Sequence, residues 1–194
     1  MSELPTIRTE RLVLNRFDPE DIPELEKLAG APEIADTTLS IPHPYQRSDA
    51  ERFLTLQTKG AEEGKELIFA LHRQPDGRLV GCASLRDIDA ENLQAELGYW
   101  IGVPYWNQGF ATEAARALVH YGLEQLGLNR IYAHHMARNP PSGRVLERVG
   151  MQCEGVLRQR VRKWGRFEDV VLYAILRQEL VGSPQGASGS IDIA

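Results

Sequence analysis

The chain is short of several things that would assign it quickly. Among its 194 residues are only two cysteines, Cys82 and Cys153. They lie far apart in different segments, so free thiols are expected rather than a disulfide, and two cysteines alone do not make a metal site. No metal is therefore expected. No run of about 18 apolar residues occurs, which excludes a membrane-spanning helix as the reading of any segment. The N-terminus lacks the basic-then-apolar pattern of an export signal, so the expected compartment is the cytoplasm. Positive charge is also in deficit: 22 Lys and Arg against 27 Asp and Glu give a formal charge of −5. That balance disfavours wholesale nucleic-acid binding, which leaves a basic footprint, and mildly favours cationic partners such as amines at long range. Neither a Gly-Lys-Ser/Thr phosphate loop nor an internal repeat is present.

What is present is an ordinary globular mixture, 42% apolar and 25% charged, long enough for one sizeable core. Residues 1–181 read as a single domain. The Gly- and Ser-rich stretch GSPQGASGSIDIA, residues 182–194, reads as a flexible tail. RLVLNRF (Arg11–Phe17) places Leu12 and Leu14 on one face of a strand. In DPED (Asp18–Asp21), Asp18 suits a helix cap and Pro19 the first helical position, and Ile22, Leu25 and Leu28 follow on one side. SDAE (Ser48–Glu51) has capping-box spacing and opens a second helix that aligns Ala50, Phe53, Leu54 and Gln57. LIFALH (Leu67–His72) and RLVGCASL (Arg78–Leu85) flank a Pro-Asp-Gly turn and form a hairpin. QAELGYWIGV (Gln94–Val103) is a third strand of this group. A long helix follows from about Thr112, then a strand (Asn129–Met136), a short helix ending at Gly150, and two closing strands joined through KWGR. The order β α α β β β α β α β β predicts an α+β fold, a mixed and mostly antiparallel sheet of about seven strands flanked by helices, with one helical crossover between neighbouring strands.

The most informative stretch is YWNQGFATEAARAL (Tyr105–Leu118). Gly109 and Ala111 have little or no side chain and stand where a strand runs into a helix. Backbone N–H groups at such a helix mouth have no partner within the helix, and with the helix dipole they attract an anion. The inference is a phosphorylated ligand at Gln108, Gly109, Phe110, Ala111 and Thr112, with Gln108 and Thr112 adding side-chain donors. A dinucleotide-binding fingerprint fits poorly, because position 107 is Asn and antiparallel hairpins precede the motif.

Taken with its flanks, ELGYWIGVPYWNQGFATEAARAL resembles the coenzyme A-binding segment of the GNAT N-acetyltransferase superfamily, in its RimJ/RimL-like branch. TERLVL (Thr9–Leu14), HPYQRSDAERFL (His43–Leu54), NRIYA followed by NPPSGRVLERVGM (Asn129–Met151), EGVLR and GRFEDVVLYAIL resemble further segments of that branch in the same order, over about residues 7–178. The resemblance implies the GNAT fold and acetyl-CoA-dependent transfer to an amine. It implies that strands 94–103 and 129–136 splay into a V filled by pantetheine, which would bond to backbone at Ile101, Gly102 and Val103. The pyrophosphate would lie on the N–H groups of Gln108–Thr112, with Asn139, Ser142 and Arg144 facing the coenzyme from the next helix. Trp106 departs from the pattern Gln/Arg-x-x-Gly-x-Gly/Ala, removing a basic or amide side chain that usually helps to hold phosphate.

Acetyl transfer needs a neutral amine, whereas aliphatic amines are protonated at pH 7. The resemblance gives the role of base to Glu96, acting directly or through water. A backbone N–H near Ile101 or Gly102 would face the carbonyl oxygen. Many superfamily members carry a tyrosine as acid at the position of Leu146 here, so Ser142 takes that role in this reading. The expected acceptor is a protein N-terminal α-amine or a small-molecule amine, with His43, Tyr45 and Arg47 as acceptor-side candidates. Self-association as a homodimer stays open, and a non-catalytic acyl-CoA-binding module is the alternative function. His134 and His135, adjacent on a strand, must face opposite ways, so one is expected to be packed and the other near the acceptor. RQRVRKWGR (Arg158–Arg166) reads as a solvated basic edge that blocks strand-to-strand association, with an acceptor or ribosomal contact as the alternative.

Overall fold

A computed structural model of the protein describes residues 4–182 and 192–193. The tail expected from residue 182 lies outside the described residues apart from Gly182, the last residue of a helix, and Asp192–Ile193.

The strands are β1 (Ile7–Arg8), β2 (Leu12–Asn15), β3 (Leu67–Arg73), β4 (Arg78–Asp89), β5 (Gln94–Ile101), β6 (Arg130–Met136), β7 (Gln152–Lys163), β8 (Arg166–Leu176) and β9 (Asp192–Ile193). They form one sheet in the order β7-β8-β6-β5-β4-β3-β2-β1-β9. The count exceeds the expected seven because β1 and β9, two residues each, pair with one another. Every pairing is antiparallel except β5 with β6. These two neighbours are joined by the expected crossover helix, α4 (Phe110–His120), which runs on as a π-helical turn over Tyr121–Gln125.

Helices cover both faces. On one side lie α1 (Ile22–Ala29), α2 (Pro32–Thr37) and α3 (Arg47–Glu62). Asp18 accepts from the Glu20 N–H at 3.0 Å and Asp21 accepts from the Asp18 N–H at 2.8 Å, so the Asp-Pro start works as expected, through a short 3₁₀ turn. The expected opening of α3 at Ser48 is corrected: the helix begins at Arg47, because the Asp49 carboxylate reaches back to the Gln46 N–H at 3.0 Å. Phe17, Leu25, Leu28, Ala50 and Cys82 form the core on this side. On the other side α4 and α5 (Pro140–Val149) bury Ala114, Leu118 and Leu146 against Leu85, Leu97 and Ile131. Helix α5 ends at Gly150, whose φ of +98° is costly for any residue with a Cβ. A last helix, α6 (Arg177–Gly182), follows β8.

Candidate active site

The site begins where the sheet comes apart. β5 and β6 pair only at Gln94↔Arg130, Ala95↔Ile131 and Glu96↔Tyr132. Beyond Glu96 the strands diverge, as the V requires. Alternation in the β4–β5 ladder then decides which backbone groups face the gap. The Gly102 N–H donates to the Val80 carbonyl of β4 at 2.8 Å. The even-numbered residues of β5 therefore turn their N–H and C=O groups to β4. The odd-numbered Leu97, Tyr99 and Ile101 turn theirs to the gap, in line with Leu93, whose carbonyl accepts from Asn129 and Arg130 on the β6 side. A cavity of about 1120 Å³ passes through the opening, lined by Phe53, Ile68 and Trp100 on one face of the sheet and by Phe110, Ser142 and Val145 on the other.

At one end of the cavity is the mouth of α4. Gly109 caps it with φ +85°, and no side chain caps the helix. The first amide to close a turn is that of Glu113, on the Gly109 carbonyl at 3.1 Å. The N–H groups of Phe110, Ala111 and Thr112 precede it and have no partner within the helix. The donor set fits a diphosphate, and the chain also supplies a cation. Arg11, from the turn between β1 and β2, bonds the Gln108 carbonyl at 2.9 Å and pairs with Glu113 at 2.6 Å. The Glu113 carboxylate also accepts from the Thr9 hydroxyl at 2.7 Å and the Arg11 N–H at 2.8 Å. A carboxylate in the first turn would repel an anion; here it is neutralised and anchors the arginine beside the loop.

Trp106, the departure from the expected motif, has a structural task. Its indole N–H donates to the Ile101 carbonyl at 2.6 Å. The Gly102 N–H is held by the Val80 carbonyl, which takes it away from a developing oxyanion, while its carbonyl accepts one bond from the Tyr105 N–H and keeps a second acceptor site. One donor of the Gln108 amide is also spent, on the Pro104 carbonyl at 3.1 Å. Val103 starts a 3₁₀ turn whose last residue, Tyr105, lines the cavity. Asn139 precedes α5 without a side-chain cap bond, and both it and Arg144 line the cavity. The Ser142 Oγ lies 3.0 Å from the Tyr99 hydroxyl, which also reaches the Ser142 carbonyl at 3.0 Å. Burial pushes the Tyr99 phenol up to about 12 despite the Ser142 bond.

Across the sheet is a charged cluster. Glu96, 6% exposed, accepts from the Arg86 guanidinium at 3.0 Å and lies 3.0 Å from His134 Nδ1. Burial raises the carboxyl's pKa, but the His134 hydrogen bond and the Arg86 charge prevail and hold it below the ordinary glutamate value. His135 faces the opposite way, buried against Tyr173, with Nδ1 at 2.8 Å from the Met136 carbonyl. The two histidines thus face opposite ways, as alternation along the strand predicts, and His135 is the packed one. Tyr45 lines the cavity, its phenol raised to about 12 chiefly by burial and then by Asp49. His43 is exposed, and Arg47 turns to Glu51 at 3.0 Å; neither lines the cavity.

With this geometry in place, comparison with known proteins is decisive. Residues 11–152 match the family described as the acetyltransferase (GNAT) domain. The chain belongs to the GNAT acetyltransferase family. An uncharacterized N-acetyltransferase of Bacillus licheniformis, p20, is 32% identical over 179 residues, covering 92% of this chain and all of that protein. The ribosomal-protein-serine acetyltransferase of Escherichia coli is 31% identical over 113 residues, 58% of this chain and 62% of that one. Among solved structures, a GNAT-family acetyltransferase from Bacillus anthracis superposes with a TM-score of 0.79 at 26% identity, covering 89% of this chain and 99% of its own.

Four features of this GNAT domain escaped sequence reasoning. Arg11, the Tyr99 hydroxyl and the His134–Glu96 contact depend on pairing between distant segments, and Arg86 depends on the register of the β4–β5 hairpin. A signal existed for one of them: Glu96, Gly98 and Trp100 share a strand face, so Tyr99 had to point to the side of α5.

Proposed function

We propose that the chain transfers an acetyl group from acetyl-CoA to a primary amine by direct attack within a ternary complex. The observation that carries this reading is a cavity through the split sheet, with a helix mouth on one face and a carboxylate–imidazole cluster on the other; a guanidinium stands beside that mouth. Acetyl-CoA, when bound, supplies the activated acyl group. The N–H groups of Gln108, Gly109, Phe110, Ala111 and Thr112, with Arg11 beside them, would hold its diphosphate. Ile101, Val103, Asn139, Ser142 and Arg144 would line its path, joined by Leu97 and Tyr99 where backbone faces the gap. The Gly102 N–H, held by Val80, contributes no bond to the carbonyl oxygen. The N–H of Tyr99 or Ile101 would face the carbonyl oxygen and stabilise charge developing there. Ser142, backed by Tyr99, would return a proton to the sulfur, in place of a hydroxyl at Leu146. Glu96 and its partners would draw the proton from the acceptor, a peptide N-terminal α-amine or a small-molecule amine. The name of the Escherichia coli relative favours including ribosomal-protein N-termini among the acceptors tried.

Release of free thiol from acetyl-CoA, measured against N-terminal peptides, polyamines, aminoglycosides and amino acids, tests the reading. Turnover with at least one amine class is expected. Binding of CoA with no turnover across the panel would reduce the protein to a binding module, and absence of both would remove the reading altogether.

A further inference from the structure

We infer that His134, not Glu96, takes the proton from the acceptor amine, with Glu96 as the positioning residue behind it. The inference rests on the proposed transfer to an amine and names the atom that performs one step of it.

The geometry separates the two roles. An ionised carboxylate only accepts hydrogen bonds, so the 3.0 Å approach of Glu96 Oε1 to His134 Nδ1 favours a proton on Nδ1. In the neutral imidazole the lone pair then sits on Nε2. That nitrogen makes no hydrogen bond among the described residues, and His134 lines the cavity with 28% of its side chain exposed. Glu96 is placed for the opposite task. Its side chain is 9% exposed, and the oxygen that bonds His134 also accepts from Arg86. Two cationic or donor groups on that oxygen favour the ionised form and make it a weak proton acceptor. The position of His134 in the fold agrees. It stands two residues past Tyr132, the last residue of β6 paired with β5, on the first turn of the pleat to border the gap from the side of α1–α3.

The proton balance is simple. The ammonium gives one proton to Nε2, which passes it to solvent through the open cavity. The freed lone pair forms the C–N bond as the C–S bond breaks, and the second proton leaves nitrogen and ends on sulfur. Other charges on the cavity wall are Asp49 and Arg52 of α3, which pair with each other at 3.4 Å, and Glu66 ahead of β3. With Arg86 and Glu96 they are the charged groups lining the cavity on this side of the gap among the described residues, and Glu96 is the one paired with the imidazole.

Two measurements on the full chain decide the matter. The ¹⁵N side-chain NMR signals of His134, assigned by their loss in H134Q, should show neutral imidazole protonated at Nδ1 and bare at Nε2. Glu96→Gln should weaken that preference. A resting tautomer protonated at Nε2 would overturn the proposal. With an amine turned over by the wild-type protein, His134→Gln should lower kcat/KM at pH 7 by roughly 10²–10⁴-fold and abolish the acidic limb of the pH profile. Glu96→Gln should cost about tenfold and move that limb to lower pH, because the carboxylate no longer supports the imidazolium. Glu96→Asp should recover part of the loss if its shorter arm still reaches Nδ1. A profile that keeps its limb in H134Q and loses it in E96Q would make Glu96 the direct base, leaving the proposed transferase reading intact. Loss of all turnover and CoA binding in the wild type would strike that reading instead. Amide NMR dispersion of each variant shows that it is folded.

Discussion

Burial and pairing pull Glu96 in opposite directions. Burial alone would raise its pKa, and the contacts with His134 and Arg86 bring it below the ordinary value. The sign of the linkage follows. A carboxyl depressed in the folded state contributes stability that is fully present above its unfolded pKa and is lost as pH falls through the folded one. The expected outcome is a Glu96 ¹³C carboxyl signal that titrates below those of exposed glutamates, and an acid-unfolding curve in E96Q that lacks this share of the decline. The two thiols make a second residue-scale prediction. Burial pushes Cys82 up to about 12, whereas Cys153 is exposed. A disulfide exchange reagent near pH 8 should therefore titrate one thiol quickly and the second only after denaturation. At this scale the sequence was partly legible. Strand alternation separated His134 from His135, since it needs only one segment. Arg86, Glu96 and His134 come from three strands, and only their register brings them together.

The mouth of α4 is the element that organises the coenzyme side. Gly109 at φ +85° holds the turn, and a Cβ there would come within 3.2 Å of the Arg11 guanidinium. Gly109→Ala should therefore cost about 1–2 kcal/mol through the left-handed backbone. It should also raise the KM for acetyl-CoA more than it lowers kcat, as steady-state kinetics and thermal unfolding would show. Arg11→Ala leaves the backbone alone and removes the cation. About a tenfold rise in the same KM, with kcat near that of the parent, is expected from losing one charge-assisted hydrogen bond at the weak end of its range, about 1.5 kcal/mol. The helix mouth itself was readable, because small residues at a strand-to-helix junction have a local meaning. Arg11 was not, since it reaches the loop from far along the chain through the Glu113 anchor. The start of α3 was misplaced for a related reason: Ser48 looked like a cap by composition, yet Asp49 bonds the Gln46 N–H. Helix α2 carries only Ile34 and Ala35 as buried residues, too few to show a period.

For the molecule as a whole, the fold turns on one interruption. Among the described residues nine strands pair side by side across the sheet, and one junction, β5 with β6, opens after three residue pairs. The hydrophobic cores on the two sheet faces stay separate, while the cavity joins the faces through the gap. The order of elements was legible because each long strand and helix carries its own period. β1 and β9 were not, as two residues cannot display alternation. The outermost strand at the other end, β7, is exposed along most of its length and carries Arg158, Arg160 and Arg162, the charged edge that blocks uncontrolled strand pairing. The central claim is that the gap and the helix mouth together hold acetyl-CoA against the Glu96–His134 cluster. Isothermal titration calorimetry with acetyl-CoA tests it most directly. One-to-one binding, weakened about tenfold in R11A, is the predicted result; no heat with either acetyl-CoA or CoA on the folded wild-type protein would contradict it.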